Sequence, residues 1–272
     1  MIFLFFQELL LFALVQLIGI FVVLKSAGLI REETISVDFT PAEIIFFLIF
    51  FAAFVYFLRK FSHKSKVFFR LVLGLIIFAG SQTVFSLLFN EIIISTLAAI
   101  LLAVSILKAK IVLLHNIGII LATAGIGAVL GLSLAPISVV FLLLILSFYD
   151  IIAVYKTGHM VKIAEDMIRA RAISGIVLPQ TMKDWFENLE NVQPGGRFMI
   201  LGSGDLIMPL ILTASVIGFH GLAAAMIVML FSMFGLFLTY YLFMIQKTRR
   251  PMAALPPIAA MSIIGYLVSI AL

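Results

Sequence analysis

Apolar runs, most of them about as long as the roughly 20 residues a helix needs to cross a bilayer, alternate with short polar connections along the chain. They fall at 3–24, 41–58, 67–88, 92–107, 111–132, 136–155, 198–217, 221–245 and 253–272, and predict an all-α polytopic membrane protein with nine transmembrane helices. The fourth run is short and follows a tight turn at Asn90 and Glu91, so a count of eight competes with nine. Only one polar stretch is long, 156–197. Within it Met160, Ile163, Ala164, Met167 and Ile168 recur at helical spacing, as do Trp185, Phe186, Leu189 and Val192. That pattern predicts short amphipathic helices lying on the membrane surface or gating a site, punctuated by Pro179, Pro194, Gly195 and Gly196. The chain divides accordingly into helices over 1–155, a loop over 156–197, and three further helices over 198–272.

Composition agrees: 64% of the 272 residues are hydrophobic and 11% are charged, far from the mix of a soluble domain. Charge placement then orients the chain. With nine crossings, sixteen of the eighteen Lys and Arg residues share one face, and only Lys25 and Arg31 fall on the other. The positive-inside rule puts that basic face, with the N-terminus and the 156–197 loop, in the cytoplasm, and the C-terminus outside. The net charge of +5 therefore describes orientation in a cell membrane, and no basic domain suggests nucleic acid. The first apolar run lacks a basic leader and a small-residue cleavage site, so it reads as a retained helix. Zero cysteines exclude disulfides, thiolate metal sites and a cysteine nucleophile.

Two acids lie inside apolar runs. Asp150 ends "PISVVFLLLILSFYD", and Asp205 sits in "LGSGDLIMP". Asp150 precedes Lys156 by six residues and Asp205 follows Arg197 by eight, which at the helical rise of 1.5 Å puts them about 9 and 12 Å below the cytoplasmic boundary. They belong to consecutive helices joined on that side, and no basic residue lies at matching depth in an obvious partner. Glu8 is a third acid, expected at the interface. Ionisable groups in lipid mark function by default. Two close carboxylates share a proton and titrate as a unit, so one can activate a water while the other protonates a peptide carbonyl and then the leaving nitrogen. Gly202 and Gly204 are expected to let another backbone approach and to loosen the helix before Asp205. Gly127 and Gly131 read as helix packing. Pro256 and Pro257 in "RPMAALPPIAA" either free carbonyls for a substrate or mark a helix start.

"FYDIIAVY" and "LGSGD" resemble the paired YD and GxGD motifs of the presenilin and signal-peptide-peptidase family of intramembrane aspartyl proteases, and "KTGHMVKIAEDMIRARA" resembles the stretch that follows the presenilin aspartate. The chain most resembles a microbial, archaeal presenilin homologue. The resemblance implies a presenilin-like fold, Asp150 and Asp205 as the catalytic pair, and Tyr149, Gly202, Ser203 and Gly204 shaping the site. The family's Pro-Ala-Leu motif aligns with Ala253, Ala254 and Leu255, so its first proline is replaced, and Leu255 and Pro256 become the site's neighbours. The implied substrates are single-spanning membrane proteins, with no cofactor or metal. Because the loop between the two aspartates is short, neither obligate autocleavage nor an obligate partner subunit is expected.

Other chemistries find less support. None of His63, His115, His159 and His220 begins an H-E-x-x-H zinc motif, and neither serine that precedes glycine, Ser174 or Ser203, completes a G-x-S-G motif. Prepilin peptidases share a GxGD-like motif but not the nine-helix layout. The rival from another class is a proton- or cation-coupled transporter or channel; the inverted repeats common in such folds are not apparent.

Overall fold

The computed structural model describes residues 2–29, 66–89, 91–193, 197–246 and 251–272. The second apolar run at 41–58, Asn90, Pro194 to Gly196 and the basic run 247–250 lie outside the described residues. The described elements are α1 (Ile2–Leu29), α2 (Lys66–Leu88), α3 (Ile92–Ala109), α4 (Val112–Ser133), α5 (Pro136–Ile151) continued by a π-helical turn (Ile152–Lys156), α6 (His159–Ala170), β1 (Gly175–Pro179), two 3₁₀ turns (Met182–Phe186 and Leu189–Asn191), β2 (Phe198–Gly202), α7 (Ser203–Ile245) and α8 (Leu255–Ala271).

Helix α7 has 43 residues, about 65 Å at 1.5 Å each, twice the hydrocarbon thickness of about 30 Å. It is broken at Gly221, whose φ of 82° and ψ of 177° are non-helical and accessible to glycine without strain. The two halves, 203–220 and 222–245, correspond to the seventh and eighth apolar runs. Six described helices are long and apolar enough to cross a membrane, and their outward leucines and isoleucines, such as Leu71, Leu75, Ile93 and Leu101, are largely exposed, as lipid contact requires.

In lipid, apolar side chains gain little by leaving their surroundings, so close packing holds helices together. Glycines supply it. A Cβ on Gly125 of α4 would lie 2.0 Å from the Gly80 carbonyl oxygen of α2, and one on Gly131 would lie 2.4 Å from Ala214 Cβ of α7. A Cβ on Gly127 would meet Leu210 at 2.7 Å, so Gly127 and Gly131 do serve packing, and what they seat is the helix that begins beside Asp205. Helix α4 contacts α1, α2, α3, α7 and β1.

The 156–197 segment is more structured than its pattern implied. Helix α6 forms where expected, but the stretch around Trp185, Phe186, Leu189 and Val192 makes 3₁₀ turns, and "GIVLP" makes a strand. Strands β1 and β2 pair antiparallel with Gly175 opposite Gly202 and Val177 opposite Ile200. Val112, Ile173, Val177, Leu189, Val192 and Phe198 close a small apolar core around them. Polar ties complete the layer: Val112 N–H bonds the Glu187 carbonyl at 3.1 Å and Leu189 N–H the Lys110 carbonyl at 2.7 Å. The Glu190 carboxyl lies 3.1 Å from Lys110 Nζ and 2.5 Å from Arg171 Nη1. The Lys110 hydrogen bond and then the nearby cations hold it below the usual carboxylate range.

Candidate active site

Two helix ends and a strand end build the site. Strand β2 runs into α7 without a loop: Gly202, extended at φ −62° and ψ 145°, occupies the N-cap position, and Asp205 falls in the first turn. An acid three residues past the cap can reach back to the cap's backbone, and the Gly202 N–H is directed to the Asp205 carboxyl. A Cβ on Gly202 would lie 3.1 Å from Asp205 Oδ2.

These facts correct two expectations. Residues 198–202 are a strand and not the start of a helix, so the 12 Å depth, which assumed a helical rise, does not hold; a strand advances about 3.3 Å per residue. Gly202 also does not loosen a helix, because the helix starts after it, while Gly204 lies in the first turn. The expected backbone approach is present at Gly202 alone: a Cβ on its partner Gly175 would lie 3.2 Å from Gly202 Cα and 2.4 Å from the Leu201 carbonyl, whereas nothing lies within 4 Å of a Cβ on Gly204. Ser203 bonds Ser174 twice, through its N–H to the carbonyl at 3.1 Å and between the two hydroxyls at 2.8 Å.

Asp150 stands in the last turn of α5, just before the π-helical turn. Such turns are rare and recur at functional sites. The Asp150 Oδ2 accepts the Leu255 N–H at 3.4 Å. Helix α8 starts at Leu255 with proline in its first positions, so the helix-start reading of Pro256 and Pro257 is the one the structure adopts. Prolines there remove donors that the helix would leave unpaired anyway, and Leu255 keeps the free N–H. The Thr239 hydroxyl bonds the Ala254 carbonyl at 3.2 Å, and Gly235 admits the backbone of Pro257 and Ile258; both fasten the start of α8. Leu255 is buried and Pro256 half-buried.

The structure brings the two acids together: both are half-buried, and the charge of Asp150 acts on Asp205. Among the described ion pairs neither takes part. Tyr149 is aimed by His159, whose Nε2 pairs with the tyrosine hydroxyl at 2.7 Å while its Nδ1 pairs with the Thr157 hydroxyl. Glu8 is enclosed by the bundle and does not face its surroundings. It is 4% exposed on α1, its Oε2 has no hydrogen-bond partner among the described residues, and the Asp205 charge reaches it.

The Glu8 environment was invisible in a one-dimensional pattern, as was the pairing of His159 with Tyr149. The buried pair His115 and Asn116 was readable only as two polar residues opening an apolar run. Among the described residues no group of three or more His, Cys, Asp or Glu could hold a metal. A cavity of about 470 Å³ lined by Glu165, Arg169, Arg171 and Glu190, among others, shares no residue with the aspartate pair.

Comparisons with known proteins bear on the family and the fold. Residues 9–272 match the family described as "Signal-peptide peptidase, presenilin aspartyl protease". A comparison with curated protein sequences finds no match. Among solved structures, a presenilin family intramembrane aspartate protease in the C222 space group superposes with a TM-score of 0.69 at 23% identity, covering 98% of each chain. The P2 form of a presenilin family intramembrane aspartate protease gives a TM-score of 0.64 at 24% identity, covering 97% of this chain and 96% of that one. With a family match over nearly its whole length and a shared fold, the chain belongs to the signal-peptide peptidase and presenilin family of aspartyl proteases.

Proposed function

We propose that Asp150 and Asp205 are the catalytic dyad of this intramembrane aspartyl protease and that its substrates are single-spanning membrane proteins cut within the bilayer. The observation that carries the assignment is the meeting of two half-buried carboxyls from different elements, without a basic partner among the described residues. Their chemistry follows from sharing one proton. The ionised member takes a proton from a water whose oxygen bonds to the scissile carbonyl carbon, while the protonated member gives its proton to the carbonyl oxygen. Collapse of the tetrahedral species breaks the C–N bond, and a proton passes from a carboxyl to the departing nitrogen, leaving a carboxylic acid and an amine. The roles belong to the pair and not to either residue.

A peptide bond inside a helix is sheathed by its own hydrogen bonds, so an unwound substrate needs substitute partners. Strand β2 offers them. The backbone groups of Ile200 face away from β1, and among the described residues no backbone group pairs with them. Tyr149, Ser203, Gly204, Leu255 and Pro256 are assigned to shaping the approach, a reading supported by the open space at Gly204 and by the Leu255 N–H bond to Asp150.

Purified protein reconstituted with a single-helix substrate should cleave it, with product masses placing the cut within the membrane-spanning segment. The rate should follow a bell-shaped pH profile, as for a shared-proton pair, and chelators should leave it unchanged. Loss of activity on metal removal would point to different chemistry.

Nine crossings, with the N-terminus cytoplasmic and the C-terminus outside, are supported by the distribution of Lys and Arg and by the break at Gly221. A reporter fused after Leu272 should be active only outside the cytoplasm; a cytoplasmic signal would remove one crossing. The short connection between the aspartates supports action without an obligate partner subunit, in a cell membrane.

A further inference from the structure

Strand β1 has two edges, and β2 covers one. In an antiparallel pair, successive residues direct their N–H and C=O alternately toward and away from the partner. Ser203 N–H bonds the Ser174 carbonyl at 3.1 Å and Gln180 N–H the Arg197 carbonyl at 3.2 Å, so Ser174, Ile176, Leu178 and Gln180 face β2, while Gly175 and Val177 face away. Their outward groups are met from α4. Asn116 donates through Nδ2 to the Val177 carbonyl at 2.7 Å and accepts the Val177 N–H through Oδ1 at 2.8 Å. The Gly175 carbonyl can only accept, so His115 Nε2, 3.0 Å away, carries the proton it receives. Both side chains are 1% exposed.

One side-chain amide thus makes the two bonds that a neighbouring strand residue would make. It is borne by the helix that Gly125 and Gly131 lock against α2 and α7. From Asn116 the path to the chemistry is short. Val177 is paired with Ile200 and Gly175 with Gly202, and the Gly202 N–H is directed to Asp205.

We propose that Asn116 is a positioning residue that decides where along the substrate the cut falls, by standing in for a third strand on the outer edge of β1 and so fixing the sheet, and the substrate strand it holds, against Asp150. This rests on the protease reading above, in which the open edge of β2 receives the unwound substrate. A slip of β2 by one residue along β1 moves the presented peptide bond by about 3.3 Å relative to α4 and Asp150 and turns alternate side chains to the opposite face. A bound substrate strand then offers a neighbouring bond to the dyad.

The test is cleavage of one single-helix substrate by the intact protein and by Asn116→Leu, with every product resolved by mass. Losing the paired amide should cut the ratio of the main product to its neighbours by roughly fivefold to tenfold, the order of one net hydrogen bond. That ratio is blind to how much of the sample is active, so a role in stability alone would leave it unmoved. A folded variant with the original ratio overturns the proposal, whatever its rate. Asn116→Ala, which removes the amide without filling its space, carries the same test should leucine fail to fold. Amide hydrogen exchange separates this idea from the protease reading. If the intact protein cleaves nothing, it is the protease reading that fails. Faster exchange at 176–178 and 199–201 in the variant then still supports the clamp, and unchanged exchange overturns it.

Discussion

Asp150→Ala and Asp205→Ala are each expected to lower the cleavage rate by at least about a thousandfold, and the double variant to be no worse than either alone. The near-equality is the sharper part. Residues that share one proton act as a unit, so removing the first removes the function of the second, and their effects do not add. The rate to compare is product formation in reconstituted vesicles at saturating substrate. Folding should survive, since Asp150 contributes one long hydrogen bond, to the Leu255 N–H at 3.4 Å, and neither acid joins a described ion pair. Asn at either position keeps the shape while losing the titrating proton, and should be as inactive as Ala. Either alanine variant retaining activity within tenfold of the intact protein would sink the dyad assignment.

Gly125→Ala should be the most damaging single-methyl change in the helical bundle. The new Cβ would lie 2.0 Å from the Gly80 carbonyl oxygen and 3.0 Å from Gly80 Cα. Those are backbone atoms, which cannot rotate aside, so α2 and α4 must separate. Overpacking of this kind costs about 1–3 kcal/mol, and in lipid no hydrophobic gain between helices offsets the lost contact. The melting temperature in detergent should fall by roughly 5 °C or more. Gly218→Ala is the control: nothing lies within 4 Å of its Cβ, and alanine favours the helix, so its stability should match or slightly exceed that of the intact protein. Equal melting temperatures for the two variants would contradict the contact described between α2 and α4.

The helices were legible because lipid leaves so few alternatives. The runs at 67–88, 92–107 and 111–132 reappear as Lys66–Leu88, Ile92–Ala109 and Val112–Ser133, within two residues at every end. What failed was the short apolar piece. "FMILG" carries no periodicity that separates a strand from a helical turn, and its joining to "SGDLIMP" hid the boundary. "GIVLP" does hold a strand signal, since β-branched residues between Gly and Pro favour one, but a single five-residue run inside a polar loop gives no indication of its partner. Asp150 and Asp205 were legible because charge in an apolar run is conspicuous by itself. Glu8 was not, because its meaning depends on which helix faces it, and Asn116 reveals its use only through a strand 61 residues away. The π-helical turn after Asp150 has no sequence signal that we can name.

The two prolines at the start of α8 also set a donor count. A helix start leaves its first four N–H groups unpaired, and a carboxyl has about four lone-pair sites with which to take them. Here Pro256 and Pro257 have none to give, and Ala254 and Leu255 hold the two that remain, since the Ile258 N–H is the first to bond back within the helix. Asp150 is therefore held by the helix end through a single bond, on Oδ2. A fully furnished helix start in the same place would compete with water and peptide for that carboxyl; this one anchors it and leaves most of its hydrogen-bonding capacity for the reactants.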